Sequence, residues 1–142
     1  VTLFADFESR HILGVPAMDG SHRELIDLVN RMERSGNAAF AYLFPDLVNH
    51  SSAHFAFEEV LMRDTAFPGE AAHRADHHRI LGELDWLARG LAQGRVAPAR
   101  AWVHDRFPAW FAGHLDSMDS ALATHLRGIG VRARGSAKGA AG

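Results

Sequence analysis

At 142 residues, 23% of them charged, the chain has room for one domain with a proper core and too little for two. The absence of cysteine excludes disulfide scaffolds, zinc–thiolate sites and iron–sulfur clusters together, and it suits a reducing cytoplasm. A net charge of −2 argues against a nucleic-acid partner, and no run approaches the roughly 18–20 apolar residues of a membrane span.

Residues 1–17 show no helical period. Phe4, Phe7, Ile12, Leu13 and Val15, closed by Gly14 and Pro16, read as an N-terminal apolar arm lying against the body. Asp19 and Ser21 are good helix N-caps, and Ser21-His22-Arg23-Glu24 fits a capping box. Leu25, Ile26, Val29 and Met32 continue one stripe from His22 as far as Ser35-Gly36-Asn37. A second helix starts between Ala38 and Pro45 and carries Leu47, His50, His54, Phe57 or Glu58, Leu61 and Met62. Phe67-Pro68-Gly69 ends it.

The third helix runs from about Glu70 to Gln93, with Ile80, Leu81, Leu84, Leu87 and Leu91 below His73 and His77, and stops at Gly94. The fourth begins at Ala97-Pro98 and carries Trp102, Val103, Phe107, Trp110, Phe111, His114, Leu115, Met118 and Leu122 to Arg127-Gly128. Pro108 predicts a bend in it, because an interior proline costs about 3 kcal/mol in a straight helix. The fold expected over residues 1–127 is therefore an all-α, up-down-up-down four-helix bundle. Residues 128–142, mostly Gly, Ala, Arg and Ser without period, read as a flexible tail or linker.

Ten histidines are the compositional oddity, since a buried imidazole asks for a partner or a metal. His54-x-x-x-Glu58 and His73-x-x-x-His77 are four-residue steps, about 40° apart around a helix and one turn apart along it, so each pair converges on one point. His22, His114 and Asp119 or Asp116 lie on the stripes of the other two helices. Singly, each has an ordinary reading as a hydrogen-bonded or exposed residue. Together, groups on all four helices point to a dinuclear metal site, and imidazole with carboxylate suits iron, zinc, copper or nickel better than calcium or magnesium. His114 to Asp119 is a five-residue step, about 140° on an ideal helix, and calls for a local widening of the helix or a reaching carboxylate.

Gly14-Val15-Pro16-Ala17-Met18-Asp19-x-x-His22-x-x-Leu25, His54-Phe55-x-x-Glu58-Glu59-x-x-Met62, His73-x-x-x-His77 and Trp110-x-x-x-His114-Leu115-x-x-x-Asp119 together resemble the hemerythrins, the bacterial ones in particular. The resemblance covers residues 7–126. It implies a four-helix bundle around a non-haem di-iron centre that binds dioxygen reversibly for storage, transport or sensing. His73, His77 and His114 would hold one iron and His22 and His54 the other. Glu58, Asp119 and a solvent-derived oxo or hydroxo group would bridge them, leaving one open position. Leu25, Phe55, Trp110, Phe111 and Leu115 would line the dioxygen pocket.

The chain differs from the family pattern at Phe7, His50, Pro45 and Pro108. The remaining histidines, His11, His78, His104 and His125, are expected to face solvent. The first residues lack the basic-then-apolar pattern of a secretory leader, so a cytoplasmic setting is expected, and a fused signalling module is a possibility the tail leaves room for. The reading is of a binding protein rather than an enzyme. The alternatives are a di-iron enzyme acting on peroxide, nitric oxide or ferrous iron, and a metal-stapled, iron-holding bundle.

Overall fold

The computed structural model describes residues 7–141, with side chains described for Phe7 and residues 10–130; Phe4 of the expected arm lies outside the described residues. A short helix α1 (Phe7–Arg10) leads into α2 (Pro16–Glu33), α3 (Asn37–Asp64) and α4 (Glu70–Ala92). A last rod is built from α5 (Ala97–Ala101), a π-turn (Trp102–Arg106), α6 (Phe107–His114), a second π-turn (Leu115–Asp119) and α7 (Ser120–Ala141). These pack as a four-helix bundle, α3 against both α2 and α4, and α4 against the last rod. No strand occurs among the described residues, and no described helix is long and apolar enough to cross a membrane.

The arm is held differently from the capping-box expectation. Pro16, preorganised for a first helical turn, starts α2 with extended Val15 (φ −116°, ψ 101°) before it, so Ser21-His22-Arg23-Glu24 falls inside the helix. Buried Asp19 then reaches back. Its two carboxylate oxygens accept the backbone N–H groups of Leu13 at 2.8 Å and Gly14 at 3.0 Å. Gly14 needs its glycine, with φ at +82° and Arg127 Nη1 3.3 Å from where a Cβ would stand. Phe7 is buried as expected, whereas Ile12 is exposed.

Both prolines are tolerated within helices. Pro45 lies inside α3, which begins at Asn37, and Pro108 sits in the first turn of α6, just after the first π-turn. There Phe107 N–H bonds back five residues to Trp102 O, so the disturbance expected at Pro108 takes the form of a widened turn. The backbone of α7 stays helical to Ala141, beyond the Arg127-Gly128 stop expected from composition. Two of the outlying histidines do not face solvent. His125 is half-buried with Nε2 3.0 Å from Thr65 O, and the His11 side chain is largely buried, 3.4 Å from Asp116. His78 and His104 are exposed as expected.

The core has two parts. The larger apolar cluster gathers Leu25, Ile26, Val29 and Met32 of α2 with residues of α3, α4 and the last rod, and a smaller one joins Met18, Met62, Leu122 and Ala123. Along every rod the polar residues of the sequence constellation fall between or beside these clusters: Met18, then His22, then Leu25; Phe55, then Glu58, then Met62; Leu115, then Asp119, then Leu122.

Outside this region, Glu83 of α4 holds the last rod. It accepts Trp102 Nε1–H at 2.7 Å and both Arg106 Nε–H at 3.1 Å and Nη2–H at 3.0 Å. The Arg106 guanidinium is the main reason that the Glu83 carboxyl lies below its usual range. A carboxyl held low in the folded state stabilises above its unfolded value near 4.5 and loses that effect as pH falls through the folded value. Glu83→Gln is therefore expected to melt a few degrees below the parent at pH 7, for a loss of roughly 1 kcal/mol. The gap should narrow in melts recorded below pH 4.5 and close once pH has fallen past the folded value.

Candidate metal centre

The four-residue steps do what helix geometry requires. His54 and Glu58 turn inward from α3, and His73 and His77 from α4, while Phe57, the competing candidate, is 39% exposed. His22 enters from α2 and His114 from α6. The second π-turn spans Leu115–Asp119, and this widening brings Asp119 round to the side of His114. Asp116, the other candidate, points away with a side chain 65% exposed. All seven inward groups are buried, none more than 5% exposed.

Their atoms form two sets that share two carboxylates. Glu58 Oε1 lies 3.2 Å from His73 Nε2 and 3.1 Å from His77 Nε2, and Asp119 Oδ1 lies 3.0 Å from both His73 Nε2 and His114 Nε2. The second oxygens face the other way. Glu58 Oε2 lies 2.9 Å from His54 Nε2 and 3.7 Å from His22 Nε2, and Asp119 Oδ2 lies 3.2 Å from His22 Nε2. Each carboxylate thus turns one oxygen toward the set that holds His73, His77 and His114 and the other toward the set that holds His22 and His54.

These close approaches lack hydrogen-bond geometry. All four carboxylate oxygens, and the Nε2 atoms of His22, His73, His77 and His114, are buried without a hydrogen-bond partner. Native interiors pair nearly all such atoms, so a set of lone pairs aimed at common points is what a cation site requires. The donor set fits the ions the sequence suggested. Burial alone would lower His22 and His73, but Asp119 and Glu58 outweigh it and push each up to about 9. Burial would raise Glu58 and Asp119, and the facing imidazoles hold both well below the usual carboxylate range.

Leu25, Phe55, Trp110, Phe111 and Leu115 are all buried in the larger apolar cluster. The Phe55 ring stacks on His77 with centroids 4.0 Å apart, Trp110 stacks on His114 at 4.8 Å, and Phe111 meets His22 edge-on at 5.5 Å. Two surface grooves reach the cluster from outside. One of about 240 Å³, between Phe67, Ala72 and Met118, touches His73, and one of about 350 Å³, beside Ser21, His50 and Phe57, touches His54. His50 Nε2 lies 3.1 Å from Ser21 O, linking α3 to α2 beside His22.

Two residues were given no role in the sequence, although Glu59 stands in the motif around Glu58. Asp76 Oδ2 lies 2.8 Å from His114 Nδ1 and accepts Trp110 Nε1–H at 2.9 Å, and Glu59 Oε2 lies 3.0 Å from His77 Nδ1. Their only signal was adjacency, Asp76 beside His77 and Glu59 beside Glu58.

Fold and site define a class: a four-helix bundle whose interior carries a set of imidazoles and carboxylates that could hold a metal ion. A family profile described as the hemerythrin HHE cation binding domain matches residues 13–126. A bacteriohemerythrin of Ralstonia nicotianae is 33% identical over 122 residues, covering 86% of this chain and 88% of the relative. One from Pseudomonas aeruginosa is 31% identical, over 80% of this chain and 76% of the relative. A myohemerythrin of Riftia pachyptila is 30% identical, over 61% and 70%. A crystal structure of wild-type hemerythrin superposes with a TM-score of 0.73 at 22% identity, covering 83% of this chain and 93% of that one. The chain belongs to the hemerythrin family.

Proposed function

We propose that the chain binds dioxygen reversibly at a centre of two iron ions, held by His73, His77 and His114 on one side and His22 and His54 on the other, with Glu58 and Asp119 shared between them. The observation that carries this is the split of the two carboxylates, one oxygen of each toward each imidazole set. His22 and His54 offer one imidazole fewer than His73, His77 and His114, so an ion held on their side would keep room for a small ligand. An iron pair held by these residues would supply the electrons for reversible uptake.

The protein's own part is to fix and dry the site. Leu25, Phe55, Trp110, Phe111 and Leu115 exclude water around the imidazoles and give a small apolar ligand a place beside them. A chain without cysteine suits a reducing cytoplasm for this role. The test follows the visible spectrum of the ferrous-loaded protein through cycles of air and deoxygenation. A charge-transfer band that rises and vanishes over several cycles is expected. Irreversible oxidation in the first cycle, with turnover on peroxide, would replace carriage by an enzymatic role.

A further inference from the structure

The five imidazoles are not held alike from outside. His114 and His77 each have a carboxylate at Nδ1, Asp76 at 2.8 Å and Glu59 at 3.0 Å. The Nδ1 atoms of His22, His54 and His73 are buried and meet no hydrogen-bond partner. Both outer carboxylates therefore serve the three-imidazole side, and neither serves the pair His22 and His54. Asp76 is the more firmly placed of the two. The oxygen that faces His114 also takes Trp110 Nε1–H at 2.9 Å, and its other oxygen pairs with Arg79. Glu59 has Arg74 at 3.6 Å.

An imidazole that donates Nδ1–H to a carboxylate is locked in one tautomer, with the Nε2 lone pair free for a metal and made more basic by the partner's charge. The Trp110 ring lies over His114 with centroids 4.8 Å apart and planes within 27°, so one carboxylate oxygen fixes both rings as a unit. Glu83 offers a matched comparison on the same helix. It too holds a tryptophan and an arginine, Trp102 and Arg106, but no imidazole.

Resting on the two-metal reading above, we infer that Asp76 is a positioning residue of the centre: it orients His114 toward the ion shared with His73 and His77 and makes that ion the more tightly held of the two. The ion beside His22 and His54 has no such support and leaves first.

The experiment loads the full chain anaerobically with ferrous iron and follows release to a chelator, together with the visible spectrum after oxidation and the melting temperature. Wild type should release its two ions in a fast and a slow phase. Asp76→Asn should speed the slow phase by about 10–100-fold and shift the spectrum, while the fast phase stays in place. Asp76→Ser, too short to reach His114, should do the same and carries the test if the asparagine variant folds poorly. Asp76→Glu should restore slow release in part. Glu83→Gln should leave both phases unchanged. A slow phase and spectrum unmoved in Asp76→Asn, even with a lower melting temperature, would reduce Asp76 to a structural bond and overturn the inference. Wild type that takes up no pair of ions would overturn the two-metal reading as well.

Discussion

Glu58→Gln is expected to cut bound metal from two ions per chain to at most one, with affinity for any that remains down by more than about 100-fold, since even outer partners are worth about 10–100-fold. Glu58 is fully buried and gives one oxygen to His73 and His77 and the other to His54 and His22. Glutamine keeps the shape, removes the charge and turns one acceptor into a donor, so on the two-metal proposal both sides of the centre would lose a ligand together. Asp119→Asn should act in the same direction, because its oxygens divide in the same way. Asp85→Asn, a change at an exposed position on α4, should leave metal content at the parent value. Metal analysis after gel filtration reads all three. An undiminished pair of ions in Glu58→Gln would remove it from the ligand set.

The second large effect is on stability. Stripping the ions is expected to lower the melting temperature by about 10 °C or more at pH 7.5. An ion at about 1,000 times its dissociation constant stabilises by about 4 kcal/mol, and each kcal/mol moves a domain of this size by about 2–4 °C. The loss should grow with pH. In the stripped protein His22 and His73, held up near 9 by Asp119 and Glu58, stabilise while charged. That contribution is complete below the unfolded value of 6.5 and disappears as pH rises through about 9. Metal binding has the opposite sign, because it needs both imidazoles neutral and releases their protons. Melting curves of loaded and stripped protein at pH 6, 7.5 and 9 should therefore diverge. Curves that converge toward pH 9 would contradict this account of the site.

Most of the site could be read in the sequence because helical periodicity carries it. His54 and Glu58, and His73 and His77, are set by the rise of one helix alone, and the structure brings each pair to the same interior point. The five-residue step from His114 to Asp119 violated that period, and the violation was itself information: it marks the π-turn at Leu115–Asp119. What stayed hidden depends on which helix faces which. Asp76 meets His114 and Trp110 across the α4–α6 contact, and Glu59 meets His77 across α3–α4, relations that no single-helix pattern encodes. Asp19 misled for a related reason. It has the composition of an N-cap, but Pro16 claims the first turn, and the carboxylate goes instead to Leu13 and Gly14 of the arm. His125 and His11 were read as surface residues because their partners, Thr65 and Asp116, lie on other elements.

The most direct test of the shared-carboxylate centre is the metal stoichiometry of the full chain after anaerobic loading with ferrous iron and removal of unbound ions. Two irons per chain in the parent protein are expected, and at most one in Glu58→Gln. One iron or none in the parent would contradict a site in which Glu58 and Asp119 each face two ions.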